Sequence, residues 1–254
     1  MRSLALILVL ALAGCTSGPS TPEVTTAADS LAMELIDASG GWDAWSDLPL
    51  LRFDWAFERD SVEMFKARHL WDRREDRARV EWSVGEDSTA VVILDLAASA
   101  AGEASGAAYV NGEVSPPADS LLAAGYTRFI NDTYWLLAPL KVMDPGVNRS
   151  LAPDSARGDN RVLALSFGDV GLTPGDRYWL RVGPDGAIRG WTYVLEGDTN
   201  VTTWDWGSPQ PLASPSGTLT FMTRKSKADG AAIVTTAFED APADAWTSPL
   251  PILQ

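Results

Sequence analysis

From about Leu50 onward the chain is a succession of short aromatic and β-branched runs, each ended by turn residues, and this rhythm constrains the fold more than any other feature. The runs cover Leu51–Arg59, Glu63–Asp72, Arg77–Val84, Ala90–Asp95, Ala107–Asn111, Arg161–Phe167, Asp176–Val182, Ile188–Glu196, Val201–Trp206, Gly217–Lys225 and Ala232–Phe238. Strands this closely spaced leave no room for crossover helices, so the sheet they predict is antiparallel. The βα alternation of a Rossmann or barrel enzyme is not there. Gly183-Pro184-Asp185-Gly186 and Asn111-Gly112 read as tight turns, because Gly and Asn accept the positive φ that hairpin turns need.

Helical periodicity is confined to three places. Leu31, Leu35 and Ala38, widened by Met33 and Ile36, form a stripe after the candidate caps Asp29 and Ser30, and Gly40-Gly41 stops it. Trp42, Trp45 and Leu48 predict a short second turn. Pro116-Pro117 opens a third helix, from Ala118 to about Ile130, with Leu121, Leu122, Tyr126 and Phe129 on its apolar face. Asn131-Asp132-Thr133 follows, and the segment Tyr134–Gly146 is expected to cover one mouth of a concave sheet. Pro139 and Pro145 restrict its backbone, and Trp135 and Leu136 bury against the sheet. Lys141 and Asp144 mark its polar rim, as an internal ion pair, a headgroup contact or an exposed pair. Residues 97–107 are rich in Ala, Gly and Ser and read as loop. No fixed-period repeat is present, so residues 27–254 are expected to form one β domain with a helical insertion.

The N-terminus predicts location. Arg2 precedes the uncharged apolar run Leu4–Ala13, and Leu12-Ala13-Gly14 leads directly to Cys15, the single cysteine. The run is too short to span a bilayer core of ~30 Å, so residues 1–14 read as a removable signal peptide. The motif resembles the lipobox of bacterial lipoproteins, which implies cleavage before Cys15 and its acylation, with membrane attachment through the acyl chains. Thr16 rather than Asp after the cysteine implies, by the same resemblance, the outer membrane facing the periplasm. Residues 15–26, rich in Ser, Thr and Pro, read as a lipidated tether. With Cys15 acylated, neither a disulfide nor a thiol ligand is available. The formal charge of −14, with only 20 basic residues, argues against nucleic acid as a partner, since phosphate binding needs a concentrated positive surface.

Two segments carry a family likeness. Gly40-Gly41-Trp42-Asp43-Ala44-Trp45, before the first strand, and Tyr134-Trp135-Leu136-Leu137-Ala138-Pro139-Leu140-Lys141-Val142-Met143-Asp144-Pro145-Gly146 resemble the LolA/LolB-like group of envelope proteins. The resemblance implies a curved antiparallel sheet, an unclosed half-barrel, covered by an N-terminal helix and a central helical insertion. It also implies an apolar cavity that receives lipid or the acyl chains of a lipoprotein.

The 11 tryptophans fit that expectation, because large rigid rings offer much apolar area at little entropic cost. Trp55, Trp71, Trp82, Trp135, Trp179 and Trp191, with Leu136 and Leu140, are the cavity candidates. Trp179 and Trp191 flank the Asp185-Gly186 turn and are expected to face one another across a hairpin; Trp204 and Trp206 share a strand face. The same rings also fit an ordinary β core. No catalytic constellation emerges: His69 is the only histidine, and no serine sits in a Gly-x-Ser-x-Gly elbow. No metal site and no cofactor are expected. The leading reading is noncatalytic binding or transfer of lipid or lipoprotein acyl groups. The alternatives are a structural or protein-interaction lipoprotein, and a hydrolase built on scattered carboxylates.

Overall fold

The computed structural model describes residues 20–114, 118–156, 158–168 and 172–253; Cys15 and Pro116-Pro117 lie outside them. Helix α1 (Ala27–Ala38) begins with a capping box. The Asp29 amide donates to Thr26 Oγ1 at 3.1 Å, and the Asp29 carboxylate accepts from the Thr26 amide at 3.0 Å. The cap is therefore Thr26, three residues before Asp29, rather than Asp29 or Ser30. After α2 (Trp42–Asp47) come β1 (Leu50–Arg59), β2 (Val62–Asp72), β3 (Arg77–Gly85) and β4 (Ser88–Asp95). Helix α3 (Leu96–Ala101) leads to β5 (Ser105–Val110) and β6 (Glu113–Val114). The long helix α4 (Ala118–Lys141) then precedes β7 (Val147–Leu151), β8 (Arg161–Phe167), β9 (Arg177–Val182), β10 (Ile188–Val194), β11 (Thr202–Ser214), β12 (Gly217–Ser226) and β13 (Ala231–Phe238).

The strands form one sheet, in the order β6-β5-β4-β3-β2-β1-β13-β12-β11-β10-β9-β8-β7. Every neighbouring pair is antiparallel. β6 and β7 are its two edges, so the sheet is not closed. It is strongly curved. β2 and β9 stand six strands apart in the order, yet Trp71 and Tyr178 line one cavity of about 950 Å³. Flat, those strands would lie about 29 Å apart at ~4.8 Å per strand, roughly three times the width of such a cavity.

The strand pattern of the sequence is found, with informative departures. β7 was hidden because Arg149 and its polar neighbours break the apolar alternation; it is an edge strand, and Arg149 is held by Asp29 at 2.8 Å. β11 runs past Trp206 through Pro209 and Pro211 to Ser214. β10 pairs only with Thr202–Asp205, so the rest of β11 has a free edge where proline forfeits no ladder hydrogen bond. Within 97–107, expected as loop, Asp95 Oδ1 accepts from the Ala98 amide at 2.9 Å and caps α3. The largest correction concerns α4, which does not end near Ile130. Phe129, Asp132, Thr133, Leu136, Leu137 and Leu140 keep one buried face at helical spacing, and that burial carries the helix through Asn131-Asp132-Thr133 and over Pro139.

The convex face of β1–β3 is sealed by the chain's own C-terminal segment. Arg79 and Glu81 are fully buried and paired at 2.6 Å. Arg79 Nη1 donates to the carbonyls of Ala245 and Ser248 at 2.9 and 2.7 Å, and Glu81 accepts from the Ile252 and Leu253 amides at 2.9 and 3.0 Å. The open volume lies on the concave side.

Candidate functional site: an aromatic cavity under helix α4

The cavity of about 950 Å³ lies between α4 and the concave face of the sheet. Two features hold it open. On α4, residues 126, 129, 130, 133 and 134 project toward it at helical spacing, with Lys141 at the far end. On the sheet, alternation brings Trp191 and Tyr193 of β10 and Tyr178 of β9 to the inner face. Their rings brace one another and the helix. Trp135 meets Trp191 edge-on at 4.6 Å and Trp204 at 5.1 Å, and Tyr134 stacks on Trp191 at 5.8 Å. Trp191 is 1% exposed, yet its indole Nε1 has no hydrogen-bond partner among the described residues and no accessible surface. With Trp135 and Trp206 both set at steep angles to it, Trp191 is held by ring contacts rather than by a hydrogen bond.

Of the cavity candidates, Trp55, Trp71, Trp135 and Trp191 line the volume, together with Lys141 and Asp144. Four do not. Trp82 belongs to a separate cluster under the N-terminal half of α4, with Arg128 set over its ring at 5.2 Å. Leu136 and Leu140 are 1% exposed and sit in the main core instead. Trp179 does not face Trp191: a register shift between Ile188 and Gly190 sets Trp191 opposite Leu180 and Trp179 opposite Thr192. That one-residue slip turns Trp179 away from the inner face. Trp204 and Trp206, as expected, are both buried on one face of β11.

Tyr126 and Phe129, expected on the apolar face of the third helix, and Tyr134, expected in the covering segment, also line the cavity; Phe167, Tyr178 and Tyr193 do so without having been singled out. Tyr178 and Tyr193 share strand parity with the inward-facing Leu180 and Trp191, which was the available signal. The rim is polar. Lys141 pairs with Asp144 at 2.5 Å. The exposed Leu172 and Leu195 stand at the rim from the β8–β9 and β10–β11 connections.

Acidic groups dominate the charged lining: Asp76, Asp132, Asp144, Asp176 and Glu196 against Lys141. Asp176 is 4% exposed and accepts from Thr173 Oγ1 at 2.7 Å, the Glu196 amide at 2.7 Å and Tyr178 OH at 3.3 Å. Burial, followed by the neighbouring Asp176 charge, pushes the Tyr178 hydroxyl well above the usual phenol range. Tyr134 is raised likewise, by burial first and then by Tyr178, Asp144 and Asp176. Asp132, 5% exposed, takes one bond from His69 Nε2 at 3.0 Å. His69 is itself fully buried and stacked on Phe53 at 4.5 Å. It is a core histidine, and among the described residues no serine or threonine hydroxyl bonds to it. The Asp198-Thr199-Asn200 segment is a polar turn, with Asp198 Oδ1 accepting from both following amides. Among the described residues no group of three His, Asp or Glu side chains is placed to hold a metal ion.

No protein-family model matches the sequence, and no curated protein matches it. Solved structures with a similar chain arrangement include a LolA superfamily protein from Nitrosomonas europaea and a DUF1329 family protein from Desulfovibrio piger. The first is 10% identical, with 88% of this chain and 99% of that one covered and a TM-score of 0.46. The second is 9% identical, with 87% and 97% covered and a TM-score of 0.46.

Proposed function

We propose that this protein binds the apolar part of a lipid, or of an acylated protein, without catalysing its conversion, while anchored to the bacterial envelope through Cys15. The cavity carries this reading. Its volume lies in the range of small-molecule sites, its walls are rigid aromatic rings, and it opens at a rim bearing Leu172 and Leu195. Rings already braced by one another lose little freedom when a chain slides between them, so burial of the ligand's apolar surface is not offset by ordering of the wall. The lipobox-like N-terminus supports the location, with the outer membrane facing the periplasm as the expected site. In this arrangement α4 and the turn after it control access, and Lys141–Asp144 holds that turn at the rim.

Native mass spectrometry of the detergent-free protein, before and after incubation with envelope lipids, tests the reading. A retained lipid or acylated peptide is the expected result. A clean apo protein that takes up neither would leave a scaffold or protein-interaction role in its place. Mass spectrometry of the mature N-terminal peptide tests the anchor: an acylated Cys15 is expected, and an unmodified Cys15 on the membrane-associated protein would defeat it.

A further inference from the structure

The cavity is not electrostatically neutral, and one of its carboxylates is incompletely used. Asp132 Oδ2 accepts from His69 Nε2; its other oxygen has no hydrogen-bond partner among the described residues and is not sealed from the cavity that Asp132 lines. Open at the wall of a cavity whose charged lining is mainly acidic, that oxygen is free to meet a ligand's cation. Among the described residues no basic side chain hydrogen-bonds to that oxygen, although the Arg128 charge acts on Asp132 from a distance. Arg128, one turn earlier on α4, is held over the rings of Phe65 and Trp82 at 4.3 and 5.2 Å, and Lys141 is paired with Asp144.

The surroundings favour a cation at this point. Two bridges link β2 to α4: the His69–Asp132 bond and, two residues along the strand and one turn back along the helix, the edge-on contact of Trp71 with Phe129 at 5.5 Å. Trp71, Phe129 and Asp132 therefore line one stretch of the cavity wall, and ring quadrupoles attract ammonium groups. Asp176, buried among hydroxyl and amide donors with no Lys or Arg partner, adds negative potential from another part of the wall.

We propose that the cavity selects amphiphiles whose polar end is a protonated amine or quaternary ammonium, with the free oxygen of Asp132 as the cation contact and the adjoining Trp71 and Phe129 rings as its surround. This rests on the reading of the cavity as an acyl-chain site and names the headgroup that site prefers. An anionic headgroup would meet Asp132 and Asp176 in a low-dielectric wall and be disfavoured.

Three amphiphiles of one chain length separate the headgroup from the tail: dodecyltrimethylammonium, dodecyl maltoside and dodecanoate. Each is titrated below its micellar concentration into the full-length protein by calorimetry at neutral pH. The ammonium is expected to bind about tenfold more tightly than the maltoside, and dodecanoate more weakly than either. Asp132→Asn is expected to bring the ammonium-to-maltoside ratio close to one. Should that variant fail to fold, a salt titration of the unmodified protein tests the charge preference of the cavity: added salt is expected to narrow the ammonium advantage and leave maltoside binding level, and an unchanged ratio overturns it. Equal affinity for all three, or preference for dodecanoate, overturns the headgroup inference while the acyl-chain reading stands. Failure of all three to bind overturns both.

Discussion

One helix, α4, lies over two very different floors. Its N-terminal half rests on Ala78, Val80, Ala90, Val92 and Ala108 of β3–β5, and the approach is so close that a Cβ at Gly125 would come within 2.8 Å of Val92 Cγ1. Further along, Trp135 meets Trp191, Tyr193 and Trp204 at centroid distances of 4.6, 6.3 and 5.1 Å, with open volume beside these rings. Small residues let two surfaces close, whereas large rings locked against each other prop them apart. The same amphipathic helix thus closes onto β3–β5 at Leu122 and Gly125, and from Tyr126 to Trp135 it borders the cavity.

Removing a prop should have the largest effect. Trp135→Ala deletes the ring wedged between Trp191 and Trp204 and is expected to cost about 3 kcal/mol in denaturant unfolding, with loss of apolar-probe fluorescence. Unchanged probe binding in a folded Trp135→Ala protein would separate the aromatic wall from the site. Gly125→Val strikes the closed half instead. It is expected to cost about 2 kcal/mol through overpacking against Val92, with probe affinity unchanged in the folded fraction. A stable Gly125→Val protein would show that the two halves do not differ in tightness.

A smaller effect is tied to pH. The Arg149 guanidinium, followed in importance by the Thr26 and Thr25 hydrogen bonds, holds the Asp29 carboxyl well below the usual carboxylate range against the opposing cost of burial. The folded pKa is lowered, so the stabilisation is complete above the ordinary carboxylate range and is lost as pH falls through that range toward the folded value. Because Asp29–Arg149 ties α1 to the edge strand β7, acid should raise hydrogen exchange in β7 before β3–β5. Asp29→Asn should cost about 1 kcal/mol at neutral pH and flatten that acid response. The mildest test is Leu195→Trp at the exposed rim, expected to shift stability by no more than about 0.5 kcal/mol while altering probe affinity. Leu140 is unsuited to such a probe, since it is packed into the core and a larger ring there would report overpacking.

Much of this was legible in the chain. Hairpin turns announced themselves locally: Asn111 and Gly112 both take positive φ, and the Gly186 amide donates back to the Gly183 carbonyl at 3.0 Å. Trp55, Trp71 and Trp191 were among the cavity candidates, whereas Tyr193, on the same face as Trp191, was not. The site was harder to read. Trp55, Trp71, Trp135 and Trp191 reach the cavity and Trp82 and Trp179 do not, although all six are tryptophans in apolar surroundings. A register shift at Ile188–Gly190 and the path of α4 decided between them, and neither is written in local composition. Asp132 looked like part of a helix-ending polar triplet because its partner, His69, is 63 positions away.

By itself the sequence determined an antiparallel sheet with an N-terminal helix and a central insertion, because side-chain period and turn chemistry are local properties that survive without knowledge of neighbours. Strand periodicity did not show that the sheet curls without closing, which only the family resemblance implied, and tertiary structure alone decided how far α4 runs and which rings face the cavity. Those outcomes depend on contacts between residues far apart in the chain. Burial of Leu136, Leu137 and Leu140 outweighed a polar triplet and a proline, and mutual support among Tyr134, Trp135, Tyr178 and Trp191 left a cavity where the same residues, packed otherwise, would have made a solid core.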